Sequence, residues 1–146
     1  MDDTPLQPLI ARVQDARARR TALQLVGGGT KAFLGGSPVG EPWPLTQEPA
    51  LRGISAYEPT ELVVTVRAGT PLAELEATLA QAGQCLPFEP PRLGAGTTVG
   101  GMVAAGLSGP ARAAVGSVRD YVLGATMLNG RAEVLTFGGQ VMKNVA

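Results

Sequence analysis

The chain has 146 residues, enough for one domain with a real core, and its 12 Lys and Arg balance 12 Asp and Glu. That neutrality excludes the basic face of a nucleic-acid binder and the basic run of an anionic-lipid binder. The absence of histidine excludes a Ser-His-Asp mechanism and imidazole metal ligation within this chain, and the single Cys85 excludes an internal disulfide and fits a reducing, cytoplasmic compartment.

The first predicted element is an amphipathic helix in "LQPLIARVQDARARR". Leu6, Leu9, Ile10 and Val13 recur at helical spacing, and arginines gather near the C-terminal end of the helix dipole. "TALQLV" reads as a short buried strand ended by Gly27. The loop "GGGTK" follows. Residues 35–49 are rich in Gly and Pro and read as a surface connection. A strand at residues 53–57, a turn at Glu58-Pro59-Thr60 and a strand at residues 62–67 come next, the last carried by Val63, Val64, Thr65 and Val66.

A second helix is expected with Thr70 as N-cap and Pro71 at its first position. Leu72, Leu75 and Leu79 line one face, and Gly83 supplies a left-handed stop. Behind it lies a second glycine-rich tract, in which Gly100-Gly101 opens a short helix whose N-terminus also favours an anion. "YVLGATMLNGRAEVLTF" then reads as a hairpin with a two-residue turn at Asn129-Gly130, positive φ at both. No apolar run approaches the ~20 residues of a membrane span, and the acidic start is unlike a signal peptide.

With 20 glycines the chain is well above the ordinary ~7% usage. Two loops lack side chains, residues 27–31 and 94–101. Successive free N–H groups on such loops form anion-binding nests, and Thr30, Thr97 and Thr98 add hydroxyl donors. Tight turns or close packing explain a single glycine triplet equally well. The relaxed dinucleotide fingerprint Gly27-x-Gly29-x-x-Ala32 lacks the acid about 20 residues on, and Lys31 does not stand at Walker spacing. Cys85 and the tyrosines Tyr57 and Tyr121 read as buried packing residues, the tyrosines on strands. Trp43 covers core or meets a partner. Arg119-Asp120 begins the hairpin and reads as an ion pair or cap, while Arg112 and Lys31 meet either phosphate or solvent.

Four blocks in this order, "VGGGTK", "YEPTELVVTVRAGTPLAELEATLAQAG", "TTVGGMVAAGLSGP" and "GSVRDYVLGATMLNGRAEVLTFGG", resemble the FAD-binding domain of the vanillyl-alcohol-oxidase/PCMH flavoprotein family. With "FGGQVMKNVA" included they are more closely similar to the FAD-binding (E) subunits of bacterial glycolate oxidases. The resemblance implies an α+β fold of two small α/β subdomains clamping FAD. It treats residues 1–146 as one partial PCMH-type domain, its C-terminal part and substrate-binding cap absent.

The residues it assigns to FAD are Gly27, Gly28, Gly29, Thr30 and Lys31 in the first loop, Thr97, Thr98, Gly100 and Gly101 in the second, Ser108 and Gly109 near the flavin ring, and Lys143 and Asn144 near the end. Some relatives attach FAD to a histidine at the first loop; Lys31-Ala32 stands there instead, which implies non-covalent FAD and no metal. A sister flavoprotein subunit and an iron–sulfur subunit are the implied partners, and any membrane association runs through them. The expected function is that of the flavin module of a 2-hydroxy-acid oxidoreductase, inactive as this segment alone. The alternative is an interaction module that keeps the fold without flavin.

Overall fold

A computed structural model describes residues 4–140. Lys143 and Asn144 lie outside them. The fold is α+β, as expected, with six short strands in three separate two-stranded sheets among the described residues.

Helix α1 (Gln7–Arg19) buries Leu9, Val13 and Ala16. Beside it, β1 (Leu23–Val26) pairs in parallel with β2 (Glu41–Pro44). The Gly/Pro-rich connection therefore contains a strand that its composition conceals. Pro42 and Pro44 fall at alternate positions, so one edge of β2 keeps its N–H groups, and the Glu41 amide donates to the Ala22 carbonyl at 2.8 Å. Gly40, at φ +105°, makes this approach possible, because a Cβ there would stand 2.5 Å from the Ala22 oxygen.

Trp43 of β2 is buried with Leu9 and Val13 as the centre of a first core. Its indole N–H donates to Glu48 at 2.6 Å, and the Arg12 guanidinium lies 5.0 Å from the ring centroid.

A second core forms around α2 (Leu72–Gln81). Leu72, Leu75 and Leu79 pack with Phe88, Val99, Met102 and Val118, and the hairpin of β3 (Ile54–Glu58) and β4 (Val63–Val66) contributes Ile54, Tyr57, Val64 and Val66. Each buried leucine contributes about 1.5–3 kcal/mol of transfer free energy. Gly83 ends α2 at φ +70°, the expected left-handed stop.

Thr70 is not the N-cap. That position falls to Pro71, and the fully buried Thr70 hydroxyl instead accepts from the Gly53 amide at 2.9 Å, tying the start of β3 to α2. Cys85 is exposed rather than buried. Past Gly83 it is Leu86 and Phe88 that pack into the second core.

Helix α3 (Val99–Ala105) follows, then two single-turn helices, α4 (Arg112–Val115) and α5 (Val118–Tyr121). Arg119-Asp120 lies in α5, not at the start of a hairpin, and Asp120 is a cap. Its carboxylate accepts from the Ser117 amide at 2.7 Å and the Ser117 hydroxyl at 2.9 Å. Those bonds hold the Asp120 carboxyl below the usual carboxylate range. Tyr121 closes α5 instead of lying on a strand; its hydroxyl donates to the Val115 carbonyl at 2.6 Å and its ring lies 5.3 Å from that of Phe88. Tyr57 does lie on a strand and donates to Gln84 at 2.7 Å.

The hairpin of β5 (Gly124–Leu128) and β6 (Val134–Gly138) is as expected, but its turn is not. Asn129 and Gly130 are outside the positive-φ set, and Ala132 takes the left-handed position at φ 65°. This is a wider turn with a left-handed residue before the second strand. The Asn129 side chain imposes it, accepting from the Arg131 amide at 2.8 Å and the Glu133 amide at 3.0 Å. Asn129→Ala should therefore cost about 1–2 kcal/mol, while Gly130→Val costs less than ~0.5 kcal/mol. Thermal unfolding of the two variants checks this, and the reverse order would restore the two-residue turn.

Candidate functional site: a junction of two glycine loops

The two glycine loops meet. β1 delivers residues 27–31 to one side of the junction, and the chain leading into α3 delivers residues 94–98 to the other. Thr30 Oγ1 and Thr97 Oγ1 stand 3.1 Å apart although 67 positions separate them in sequence. The buried Thr97 hydroxyl also donates to the Gly94 carbonyl at 2.9 Å, so Thr30 is the donor to Thr97.

Most of these glycines exist for this contact. A Cβ on Gly28 would lie 1.4 Å from the Gly96 carbonyl oxygen, one on Gly94 2.9 Å from Thr30 Cγ2, and one on Gly27 3.0 Å from Thr98 Oγ1. Gly100 is needed against Ala68, whose carbonyl oxygen would be 2.8 Å from a Cβ, and Gly109 against Glu89 at 2.6 Å. Close packing, one of the two readings of a single triplet, thus accounts for these positions. Gly94 and Gly96 carry as much of the junction as the residues expected from sequence. Their G-x-G spacing was the available signal.

Gly29 is different. It sits at φ +70° with nothing within 4 Å of a Cβ position. Among the described residues, the amides of Gly28, Gly29, Thr30 and Lys31 donate to no protein group. Lys31 is half-buried, makes no ion pair among the described residues, and its Nζ lies 4.0 Å from the Cβ position of Gly101. Free amides beside an uncompensated cation are the donor chemistry that a polyanion requires.

The α3 side is not equivalent. Its first amides are spent inside the protein: Val99 on the Thr70 carbonyl at 2.9 Å, Gly100 on the Ala68 carbonyl at 2.7 Å, and Gly101 on Thr98 Oγ1 at 3.1 Å. The anion-binding helix start expected at Gly100-Gly101 is thereby corrected, since those donors are already satisfied. Thr97 and Thr98 are buried members of the same network rather than free hydroxyls.

Ser108 and Gly109 follow the C-terminal end of α3, with the Gly109 amide on the Phe88 carbonyl at 2.9 Å. Ser108 Oγ is a buried oxygen with no protein partner among the described residues. Arg112 lies on α4 and is not part of the junction. Among the described residues there is no group of three or more His, Cys, Asp or Glu side chains arranged to hold a metal ion. Nor is any helix among them long and apolar enough to cross a membrane.

A family model described as an FAD binding domain matches residues 6–138. The chain is also similar to glycolate oxidase subunit GlcE of Escherichia coli (strain K12), 50% identical over 140 residues, covering 96% of this chain and 39% of that relative. The match contains both glycine loops, both cores and the hairpin. The two comparisons agree, and this chain, which spans 39% of the length of that relative, belongs to the FAD-binding domain family.

Proposed function

We propose that this chain binds FAD non-covalently, with the diphosphate on the free amides of residues 28–31 and the Lys31 ammonium, as the flavin-holding part of a glycolate or related 2-hydroxy-acid oxidase. The observation that carries the reading is the set of unspent first-loop donors beside a half-buried, unpaired lysine. Thr97, Thr98, Gly100 and Gly101 act at one remove, holding the second loop where it fixes the first. Ser108, with its orphan hydroxyl, is the protein donor for the far part of the cofactor. Lys143 and Asn144 stay assigned to the same site by resemblance.

FAD supplies hydride-accepting chemistry when bound. The chain supplies binding and orientation, since it contains no histidine to act as base. The similar E. coli protein is named as a subunit, and this supports work within a complex. A sister flavoprotein that oxidises the substrate and an iron–sulfur subunit that carries electrons onward are the partners proposed.

The test is fluorescence titration of FAD into the full natural chain and its Lys31→Ala variant. Wild-type protein should bind and carry flavin absorbance on purification, and Lys31→Ala should bind at least tenfold more weakly. A folded protein that takes up no flavin would favour the interaction-module reading. Non-covalent attachment predicts that acid precipitation leaves the yellow colour in the supernatant; colour in the pellet would refute it.

A further inference from the structure

Exposed apolar side chains are concentrated beside the first glycine loop. Among the described residues, Leu25, Phe33, Leu34, Val39, Leu62 and Phe137 are the large apolar side chains more than half exposed, and the first four lie between residues 25 and 39. Apolar residues exposed singly are ordinary surface, whereas a cluster of them in water marks a contact. Phe33 stands out. Phe88 is buried at 2% exposure, but Phe33 is 70% exposed and belongs to neither core. Its backbone is tied to the loop. Ala32–Leu34 form a single 3-10 turn, in which the Ala32 amide donates to the Gly29 carbonyl at 3.3 Å and the Leu34 amide to the Lys31 carbonyl at 3.0 Å.

Phe33 is two residues past Lys31, so its Cα lies within about 8 Å of the lysine's. A dinucleotide seated by its diphosphate on residues 28–31 carries one aromatic system on each side of that diphosphate. Free amides and an ammonium satisfy the phosphates but give a ring nothing to lie on. An exposed phenyl group does, because stacking withdraws apolar surface on both partners from water and adds the attraction of offset rings. On the reading of residues 28–31 as the diphosphate seat, we infer that Phe33 is the stacking platform for one aromatic ring of the bound dinucleotide. The loop is then a two-part site, with polar backbone for the diphosphate and an aromatic side chain for a ring.

The test is calorimetric titration of FAD, ADP, FMN and inorganic pyrophosphate into the full natural chain and its Phe33→Leu and Phe33→Tyr variants. Leucine keeps an apolar side chain without a ring, and tyrosine keeps the ring. Phe33→Leu should weaken FAD about tenfold, the scale of one aromatic–base stack. Phe33→Tyr should bind FAD within twofold of wild type, and pyrophosphate affinity should be the same in all three proteins. A matching loss with ADP alone makes adenine the stacked ring, and a loss with FMN alone makes it the flavin. Phe33 is exposed, so the variants should fold, and thermal melting checks this. Wild-type FAD affinity in Phe33→Leu, equal losses in both variants, a loss that extends to pyrophosphate, or a loss shared equally by ADP and FMN would each overturn the platform. Lys31→Ala, titrated alongside, separates the two failures. If it weakens FAD while Phe33→Leu does not, only the platform falls; if it binds FAD as wild type does, the diphosphate seat falls and the platform with it.

Discussion

Gly28→Ala is expected to break the junction, lowering stability by more than about 3 kcal/mol and FAD affinity at least a hundredfold. The new methyl carbon would stand 1.4 Å from the Gly96 carbonyl oxygen and 2.3 Å from the carbonyl carbon. Those are backbone atoms, so no rotamer change relieves the clash, and the loops must separate. Separation also costs the Thr30–Thr97 hydrogen bond and the seating of Thr30 against Gly94. For a domain of this size the melting temperature should fall by roughly 10 °C. Gly96→Ala is the internal comparison: its Cβ would stand 3.0 Å from the Gly28 oxygen, a contact that a few tenths of an ångström relieve. Its effect should be smaller on both readouts. Equal effects from the two variants, or wild-type melting in Gly28→Ala, would show that the loops do not meet as described.

Gly29→Glu is expected to spare the fold and abolish FAD binding. Nothing lies within 4 Å of the position a Cβ would take, so no packing is disturbed. The left-handed backbone at φ +70° costs a non-glycine residue about 1–2 kcal/mol. The carboxylate would stand among the free amides of residues 28–31 and beside Lys31, occupying the anion site with the charge that FAD brings. Affinity should drop at least a hundredfold while far-UV circular dichroism is unchanged. Gly29→Asn, which tolerates the left-handed region and adds no charge, should bind within about tenfold of wild type. If Gly29→Glu binds FAD normally, the first loop does not hold the diphosphate.

These two glycines are one residue apart and were alike as letters in a triplet. What separates them is distance to a loop 67 positions away, which no local pattern encodes. The same division runs through the molecule. Elements set by local rules were legible: the leucine face of α2 with its Gly83 stop, the valine run of β4, the arginine-ended α1 and the paired runs of the last hairpin. Each depends on residues within a few positions of one another. The residues of the two glycine loops could be named as candidates because several backbone-only segments in an apolar, neutral chain are informative by composition.

Local signals failed where a distant or non-local partner decided. "EPWP" reads as loop, yet pairing with β1 and burial of Trp43 make it a strand. Thr70 has the chemistry of a cap, but Gly53 takes its hydroxyl. Asn129-Gly130 promises a tight turn, and there the competitor is itself local: the Asn129 side chain, accepting from the Arg131 and Glu133 amides, closes a wider one. Cys85 has the composition of a core residue, but the chain leaving Gly83 turns other side chains inward. The sequence by itself determined most of the element types and the family resemblance, because propensity, period and composition are local. The tertiary structure alone decided which glycine is packed and which is open, and which amides are spent and which are free, because a hydrogen bond is counted only once its partner has arrived.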